Sequence, residues 1–347
     1  MTRVHPRGED VRRFLVENLR QHPNDISKVA ATHFGITRQA VSKHLQRLRA
    51  EGCITESGET RSRAYKLAPL SEWRRTYEIV PGLAEDVIWT NDVRAQLGAL
   101  PDNALGIWHY GFTEIFNNAI DHSAGTSITV TIKKTAACTE LALYDNGIGI
   151  FKKIQMAIGL LDERHAVLEL AKGKLTTDPK RHTGEGIFFT SRMFDDFQIL
   201  AGGVFFSHEY GDQEDWALEN ERTRQGTMVW MRLNNHTART SKKVFDQYTS
   251  GDEFGFTKTV VPVRLALYGN DKLISRSQAK RVVARIEVFK TVILNFESVD
   301  SIGPAFADEI FRVFATQHPN IEMIVVRANS EVKRMIERAK SEAAKEA

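Results

Sequence analysis

TEIFNNAIDHS, residues 113–123, has the spacing of a helix: Ile115, Phe116, Ala119 and Ile120 gather on one side, while Glu114, Asn118 and His122, four apart, stack on the other. A face that merely meets water accommodates any polar residue, lysine included. A carboxylate, a carboxamide and an imidazole in one row are instead groups that handle protons and hard cations. A magnesium ion held by nucleotide phosphates takes oxygen ligands, few of them from protein, and Asn118 offers a neutral amide oxygen that adds no charge repulsion. Glu114, one turn earlier, is placed to orient and deprotonate an attacking water or hydroxyl. Taken alone, this spacing also arises by chance.

Two further segments point to the same chemistry. ELALYDNGIGI, residues 140–150, is an apolar strand running into Asp145-Asn146-Gly147-Ile148-Gly149. A carboxylate at a strand end can accept a hydrogen bond from an adenine amino group, and the glycines let backbone approach closely. RHTGEGIFFTSRMFDDFQI, residues 181–199, sets Gly184 and Gly186 at the start of an amphipathic helix, whose free amides and dipole form an anion site. Between them, residues 150–183 are long, polar and rich in cations (Lys172, Lys174, Lys180, Arg181), the pattern expected of a flexible lid over phosphates.

The order E-x-x-x-N-A, D-x-G-x-G, G-x-G resembles the GHKL ATPases: the gyrase B subunit, MutL, the heat-shock ATPase chaperones and histidine kinases. RQGTMVWMRL, residues 224–233, resembles the Gly-Thr strand after their lid, with Thr227 supporting the adenine-binding acid, and the likeness spans roughly residues 84–234. The anti-sigma-factor serine kinases are most similar, sharing a Glu four before the Asn, a His where His122 stands and an acidic pair like Asp195-Asp196. The resemblance implies ATP and Mg²⁺ as cofactors, Asn118 on the metal, Asp145 on the adenine, Gly147, Gly149, Thr183, Gly184, Gly186 and Thr227 around the nucleotide, and Glu114 as the base. Sensor histidine kinases fit less well, because no phosphoacceptor histidine on a dimerisation helix precedes residue 100; His109 reads as structural.

Residues 1–68 carry 13 Lys/Arg against 7 Asp/Glu, the remainder 34 against 37, so the basic excess is at the front and calls for a polyanionic partner. Three helical patterns, at 10–20, 25–33 and 38–51, precede a hairpin-like CITESGETRSRAYKL. FGIT, residues 34–37, joins the last two: a glycine for positive φ, an isoleucine to fill the corner and a threonine to cap the next helix. Val41, Leu45 and Leu48 form the inward stripe, leaving Arg38, Gln39, Ser42, Lys43, Gln46 and Arg47 outward, with Arg61 and Arg63 beside the hairpin turn. Residues 8–68 resemble the winged helix-turn-helix domains of bacterial transcription regulators, which implies double-stranded DNA as partner, with protein docking as the other use of this fold.

From residue 258 short apolar strands alternate with helical patterns at 275–289 and 304–318, the signature of a small layered α/β unit with a partly parallel sheet. VILNFESVDSIGPAFADEIFRVF resembles the STAS fold of anti-sigma-factor antagonists, in which a hydroxyl-bearing turn opens a helix and is phosphorylated by a partner kinase. Only one of the two hydroxyl positions of that turn survives, at Asp300-Ser301-Ile302-Gly303. Ser301 is therefore a phosphoacceptor, a binding residue or a helix N-cap. The charged tail SEVKRMIERAKSEAAKEA reads as a solvated helix.

The chain has 347 residues, 42% apolar and 26% charged, with no run of eighteen apolar residues and no leader-like start, so a cytoplasmic protein with no membrane partner is expected. Cys53 and Cys138 show no metal or redox spacing and read as packing residues. The fold class expected is α/β multidomain: a winged helix at 1–68, a Bergerat-type (GHKL) α/β sandwich at 69–235 and a STAS-like α/β domain at 255–347. The function expected is an ATP-binding and hydrolysing, DNA-binding transcriptional regulator, acting as a homodimer, with a further protein partner at the STAS-like domain. The alternative is a serine/threonine kinase acting on its own or a partner's STAS domain; a gyrase-like or MutL-like strand-handling ATPase lacks its transducer domain.

Overall fold

The structure is a computed structural model and describes residues 6–59, 62–175, 183–211, 215–249, 255–267 and 272–346. Helices α1 (Pro6–Asn18), α2 (Ile26–Phe34) and α3 (Arg38–Ala50) are followed by an antiparallel hairpin, β1 (Ile54–Ser57) and β2 (Ala64–Leu67). The corner between α2 and α3 follows from FGIT: Gly35 takes φ 61°, Ile36 packs against the helices, and Thr37 Oγ1 accepts from Ala40 N at 3.2 Å. Leu15, Leu19, Ile26, Val41, Leu45 and Ile54 fill this unit's own core, which Ala136 and Ala137 of the body also join.

The body runs β3 (Ser71–Glu78), α4 (Glu85–Ile88), a π turn (Trp89–Val93), α5 (Arg94–Leu97), α6 (Asp102–His122), β4 (Ser127–Lys134), β5 (Cys138–Asp145), α7 (Ile150–Ile158), α8 (His165–Lys172), α9 (Gly186–Met193), β6 (Asp196–Glu209), β7 (Asp215–Asn234) and α10 (Ser241–Asp246). The five strands form one antiparallel sheet in the order β3-β4-β5-β7-β6. Strand alternation turns Ile128, Val130, Leu141, Leu143, Val229 and Met231 to the helix side, where Trp108, Phe112 and Phe116 of α6 cover them.

The C-terminal unit contains β8 (Lys258–Pro262), α11 (Arg276–Val283), β9 (Thr291–Asn295), α12 (Pro304–Asp308), α13 (Ala315–Gln317), β10 (Glu322–Val326) and α14 (Ser330–Glu346). Its three strands are parallel, in the order β10-β9-β8. Between α12 and α13 the helix continues through a π segment, Glu309–Phe314, so the expected helix at 304–318 forms with Pro304 in its first turn. Helix α11 stops earlier than the pattern at 275–289 suggests: Ala284 is extended, Arg285 takes φ 62°, and only a short 3-10 turn follows at Ile286–Val288.

Two expectations change. The tail is not simply solvated, because α14 buries Val332, Ile336 and Ala339 against the C-terminal core. Nor is the stretch after Gly149 a plain polar loop. It holds α7 and α8, and every residue of α8 from Ala166 to Lys172 is buried, since HAVLELAK is apolar enough to sit between two layers. The body and the C-terminal unit share one continuous core, with Phe188 tilted against Phe256 at 4.6 Å between ring centroids and Phe256 edge-on to Phe289 at 5.1 Å. Among the described residues no helix is long and apolar enough to cross a membrane.

Ile336→Ala removes a side chain that is 5% exposed. It is expected to cost about 2–4 kcal/mol, read as a lowered urea midpoint with the C-terminal unit melting first.

Candidate functional site

The site begins at the end of β5. The alternation that sends Leu141 and Leu143 to the helix side sends Asp145 there too, leaving it 4% exposed and facing Thr227 across the β5–β7 pair. A buried carboxylate needs donors. Asp145 Oδ1 accepts from Gly147 N at 2.9 Å and Thr227 N at 3.3 Å, and the Thr227 hydroxyl bonds to the same carboxylate while accepting from Ile150 N at 3.0 Å. Burial lifts the Asp145 carboxyl above its ordinary 3.8, and these hydrogen bonds only partly oppose it. The turn admits no side chain where it is tightest: a Cβ at Gly147 would run into the Ser123 carbonyl, and one at Gly226, at φ 81°, into the Asp145 carbonyl. Gly149, at φ 89°, opens α7.

Glu114, Asn118 and His122, all half-buried on α6, line the same cavity as Asp145 and Thr227. Its volume is about 310 Å³. Across it stands the start of α9, where Thr183, Gly184 and Gly186 also line the wall. A Cβ at Gly186 would overlap the Glu114 carboxylate, so glycine there lets the helix start approach α6. Gly184, at φ 75°, would bring a Cβ within 2.5 Å of the Leu175 backbone, and its carbonyl accepts from Leu175 N at 3.1 Å. Apolar side chains complete the enclosure: Leu143 and Val229 from the sheet, Ile150 and Ile154 from α7, Leu170 and Leu175 from the segment around α8.

The ionisable groups around the cavity perturb one another. Burial, then the charges of Glu114 and Glu185, push the Tyr110 phenol far above its usual range. Burial raises Glu185, which Lys174 opposes, and burial lowers Lys174, which Glu185 opposes. Lys153 lines the cavity as well, a cation the sequence reading passed over. Its signal was present: Ile150, Lys153 and Ile154 are three and four apart, one face of α7, directly after the Gly149 turn.

The structure thus brings Glu114, Asn118, Asp145, Thr183, Gly184, Gly186 and Thr227 around one cavity, with Gly147 and Gly149 shaping the turn beside it. Lys172 is not there. It is 1% exposed and points into the C-terminal unit, because its ammonium finds Glu169 and two helix-end carbonyls on that side. Lys180 and Arg181 lie outside the described residues. His109 stacks on Trp89 at 4.8 Å, a packing role.

On α3, Arg38, Gln39, Lys43, Gln46 and Arg47 are exposed and Ser42 is half-buried, so they share the outward side expected of them. Arg47 bonds to Glu51 at 2.9 Å and Arg63 pairs with Glu56 at 2.8 Å, so part of this basic surface is internally neutralised. Arg61 lies outside the described residues. Ser301 is half-buried and is not a helix cap: the N-cap of α12 is Gly303, placed where a Cβ would meet Ile274 Cα at 2.8 Å.

Residues 278–333 match the family model of a STAS-like domain of unknown function (DUF4325). The C-terminal region is STAS-like. No curated protein matches the chain.

A carboxyl raised on folding stabilises fully below its unfolded pKa and loses that contribution as pH rises through the folded value. Relative to wild type, Asp145→Asn is therefore expected to gain stability as pH rises above about 4, the ordinary carboxyl range, toward neutrality. Paired urea melts across that range check it; a constant gap between the two proteins contradicts it.

Proposed function

We propose that this chain is a DNA-binding regulator whose cavity takes ATP with Mg²⁺, the nucleotide state setting the DNA-binding or partner-binding state. One observation carries the reading. Four segments separated by tens of residues supply an acid-amide face (Glu114, Asn118), a buried acceptor (Asp145 with Thr227) and a glycine-opened helix start (Gly184, Gly186) to a single cavity. Its volume, about 310 Å³, lies at the small end of ligand sites, which run from about 300 to about 1,000 Å³.

The residues suit the cofactors. Among the described residues no group of three or more His, Cys, Asp or Glu could hold a metal by itself, so a cation beside Asn118 would draw its remaining oxygens from the ligand and water, the habit of Mg²⁺. Asp145 offers an acceptor to an exocyclic amino group. The first amides of α9 and Lys153 offer positive potential to phosphates. Bound Mg-ATP supplies a phosphoanhydride with its charge partly neutralised. Glu114 accepts the proton of the attacking water, and the apolar wall limits entry of bulk solvent.

Hydrolysis is favoured over phosphotransfer to the chain's own Ser301. The last turn of α8, beside the cavity-lining Leu170, meets the C-terminal unit near the N-terminal ends of its parallel strands, where Thr259 Oγ1 donates to the Lys172 carbonyl at 2.6 Å. Ser301 follows the opposite end of that sheet, about 13 Å of strand away. With labelled γ-phosphate, free phosphate is the expected product, and label on the protein would favour the kinase reading.

The exposed α3 face and Arg63 are the proposed contacts to double-stranded DNA, with Arg38 and Gln39 toward base edges and Lys43 and Arg47 toward phosphates. A homodimer reading two half-sites would supply the affinity one small unit lacks.

Two experiments test these assignments. Calorimetric titration of Mg-ATP is expected to show binding to wild type, at least about tenfold weaker binding to Asn118→Ala, and in Glu114→Ala retained binding with hydrolysis reduced by about 10²–10⁴. Equal heats for wild type and Asn118→Ala would remove the metal assignment. For DNA, Lys43→Ala is expected to lower the slope of log affinity against log salt by about 1, uniformly across sequences.

A further inference from the structure

The segment from α8 to Leu175 has two faces that serve different units. Leu170 and Leu175 form the outer wall of the cavity. Lys172 and Lys174, between them, are held by the STAS-like region. The Lys172 ammonium donates to Glu169 Oε1 at 2.7 Å, to the Arg281 carbonyl at 2.7 Å and to the Ala284 carbonyl at 2.8 Å. Those carbonyls belong to the C-terminal end of α11, where a helix leaves acceptors unsatisfied and its dipole favours a cation. All three ammonium donors are used, and the end of one unit's helix is capped by a buried lysine of another.

The turn that follows is equally constrained. Gly173 takes φ 79°, with no room for a Cβ beside the Phe256 ring at 2.6 Å. Lys174 takes φ 52°; its carbonyl accepts from Arg285 at 3.0 Å, and its ammonium lies 5.0 Å from the centre of the Phe289 ring. Leu175 then returns to the cavity and bonds to Gly184 beside the start of α9. Among the described residues, the holds on this turn from outside the body come from residues 256–289.

We propose that Lys172 is a positioning residue for the cavity: by capping α11 it fixes the Leu170–Leu175 wall, so that ligand affinity depends on the docked STAS-like region and ligand binding in turn tightens that docking. The proposal rests on the nucleotide reading of the cavity. The mutual dependence follows from linkage, since a ligand that prefers the docked wall must stabilise docking by the same factor. A buried lysine that only supported the fold would change stability without making the two events report on one another.

The full chain and its Lys172→Met and Arg285→Ala variants are titrated with Mg-ATP, and amide hydrogen exchange at residues 276–289 is followed with and without the nucleotide. Wild type is expected to bind and to slow exchange there. Lys172→Met is expected to bind about tenfold or more weakly and to lose the slowing; Arg285→Ala, which keeps the ammonium, is expected to weaken binding about threefold. No binding to wild type would overturn the nucleotide reading and this inference with it. Binding to wild type with undiminished affinity and undiminished slowing in Lys172→Met would overturn this inference alone. If circular dichroism shows Lys172→Met unfolded, Arg285→Ala decides, and wild-type behaviour in it overturns the inference.

Discussion

A carboxylate buried at the end of a strand constrains everything around it, because each of its lone pairs taken from water has to meet a donor. Asp145 meets that demand with groups from its own turn and from the neighbouring strand, Gly147 N, Thr227 N and the Thr227 hydroxyl. The consequences spread outward. Thr227 has to face Asp145, which sets the β5–β7 register. The turn has to fold back tightly, which excludes a side chain at Gly147 and Gly226. The chain then leaves through Gly149 into α7, whose first amide binds the same threonine. One acid thereby fixes the floor of the cavity, the start of α7 and the pairing of the two central strands.

What could be read from the sequence was whatever local chemistry determines. The 113–123 helix announces itself by period, the FGIT corner by a glycine that must turn and a threonine that must cap, and the Asp145 turn by glycines after a run of strand-forming residues. What escaped was set by partners far along the chain. Lys172 looks like a phosphate-seeking cation in a polar loop until the carbonyls of Arg281 and Ala284, more than a hundred residues later, are seen to accept its hydrogen bonds. The same pair of contacts satisfies the carbonyls left where α11 ends, short of the apolar pattern that continues to Phe289. HAVLELAK could have raised suspicion, since it is too apolar for a solvated loop, but its burial needs two layers that only the tertiary fold provides. The amphipathic tail hides its buried stripe because its apolar residues, Val332, Ile336 and Ala339, are few among many charges.

Glu169 and Lys172 show why such a device survives in a core. An isolated buried lysine would be driven neutral, and burial does depress the Lys172 ammonium, with the Glu169 carboxylate opposing the shift. Hydrophobic residues of equal volume would often be as stable or more so. They would not, however, require one particular end of α11 to sit at one particular turn. The polar contact selects one docking geometry, because hydrogen bonds are directional and the apolar packing of Phe188, Phe256 and Phe289 is not.

The head is joined to the cavity by a different kind of element. Ala136 and Ala137, in the turn before β5, sit in the core of the three-helix unit, and Arg20 of that unit reaches Asp196 at 3.6 Å. From that turn β5 runs to Asp145, paired on both sides from Thr139 to its end. A strand held in this way cannot slip by one residue without turning Leu141, Leu143 and Asp145 to the wrong face. Any displacement at either end has to move the strand as a rigid bar, tilting or shifting it together with its neighbours. The cavity therefore meets the head through a stiff strand and the STAS-like region through a turn pinned by a buried lysine, so both links tie movement of the neighbouring unit to the cavity wall.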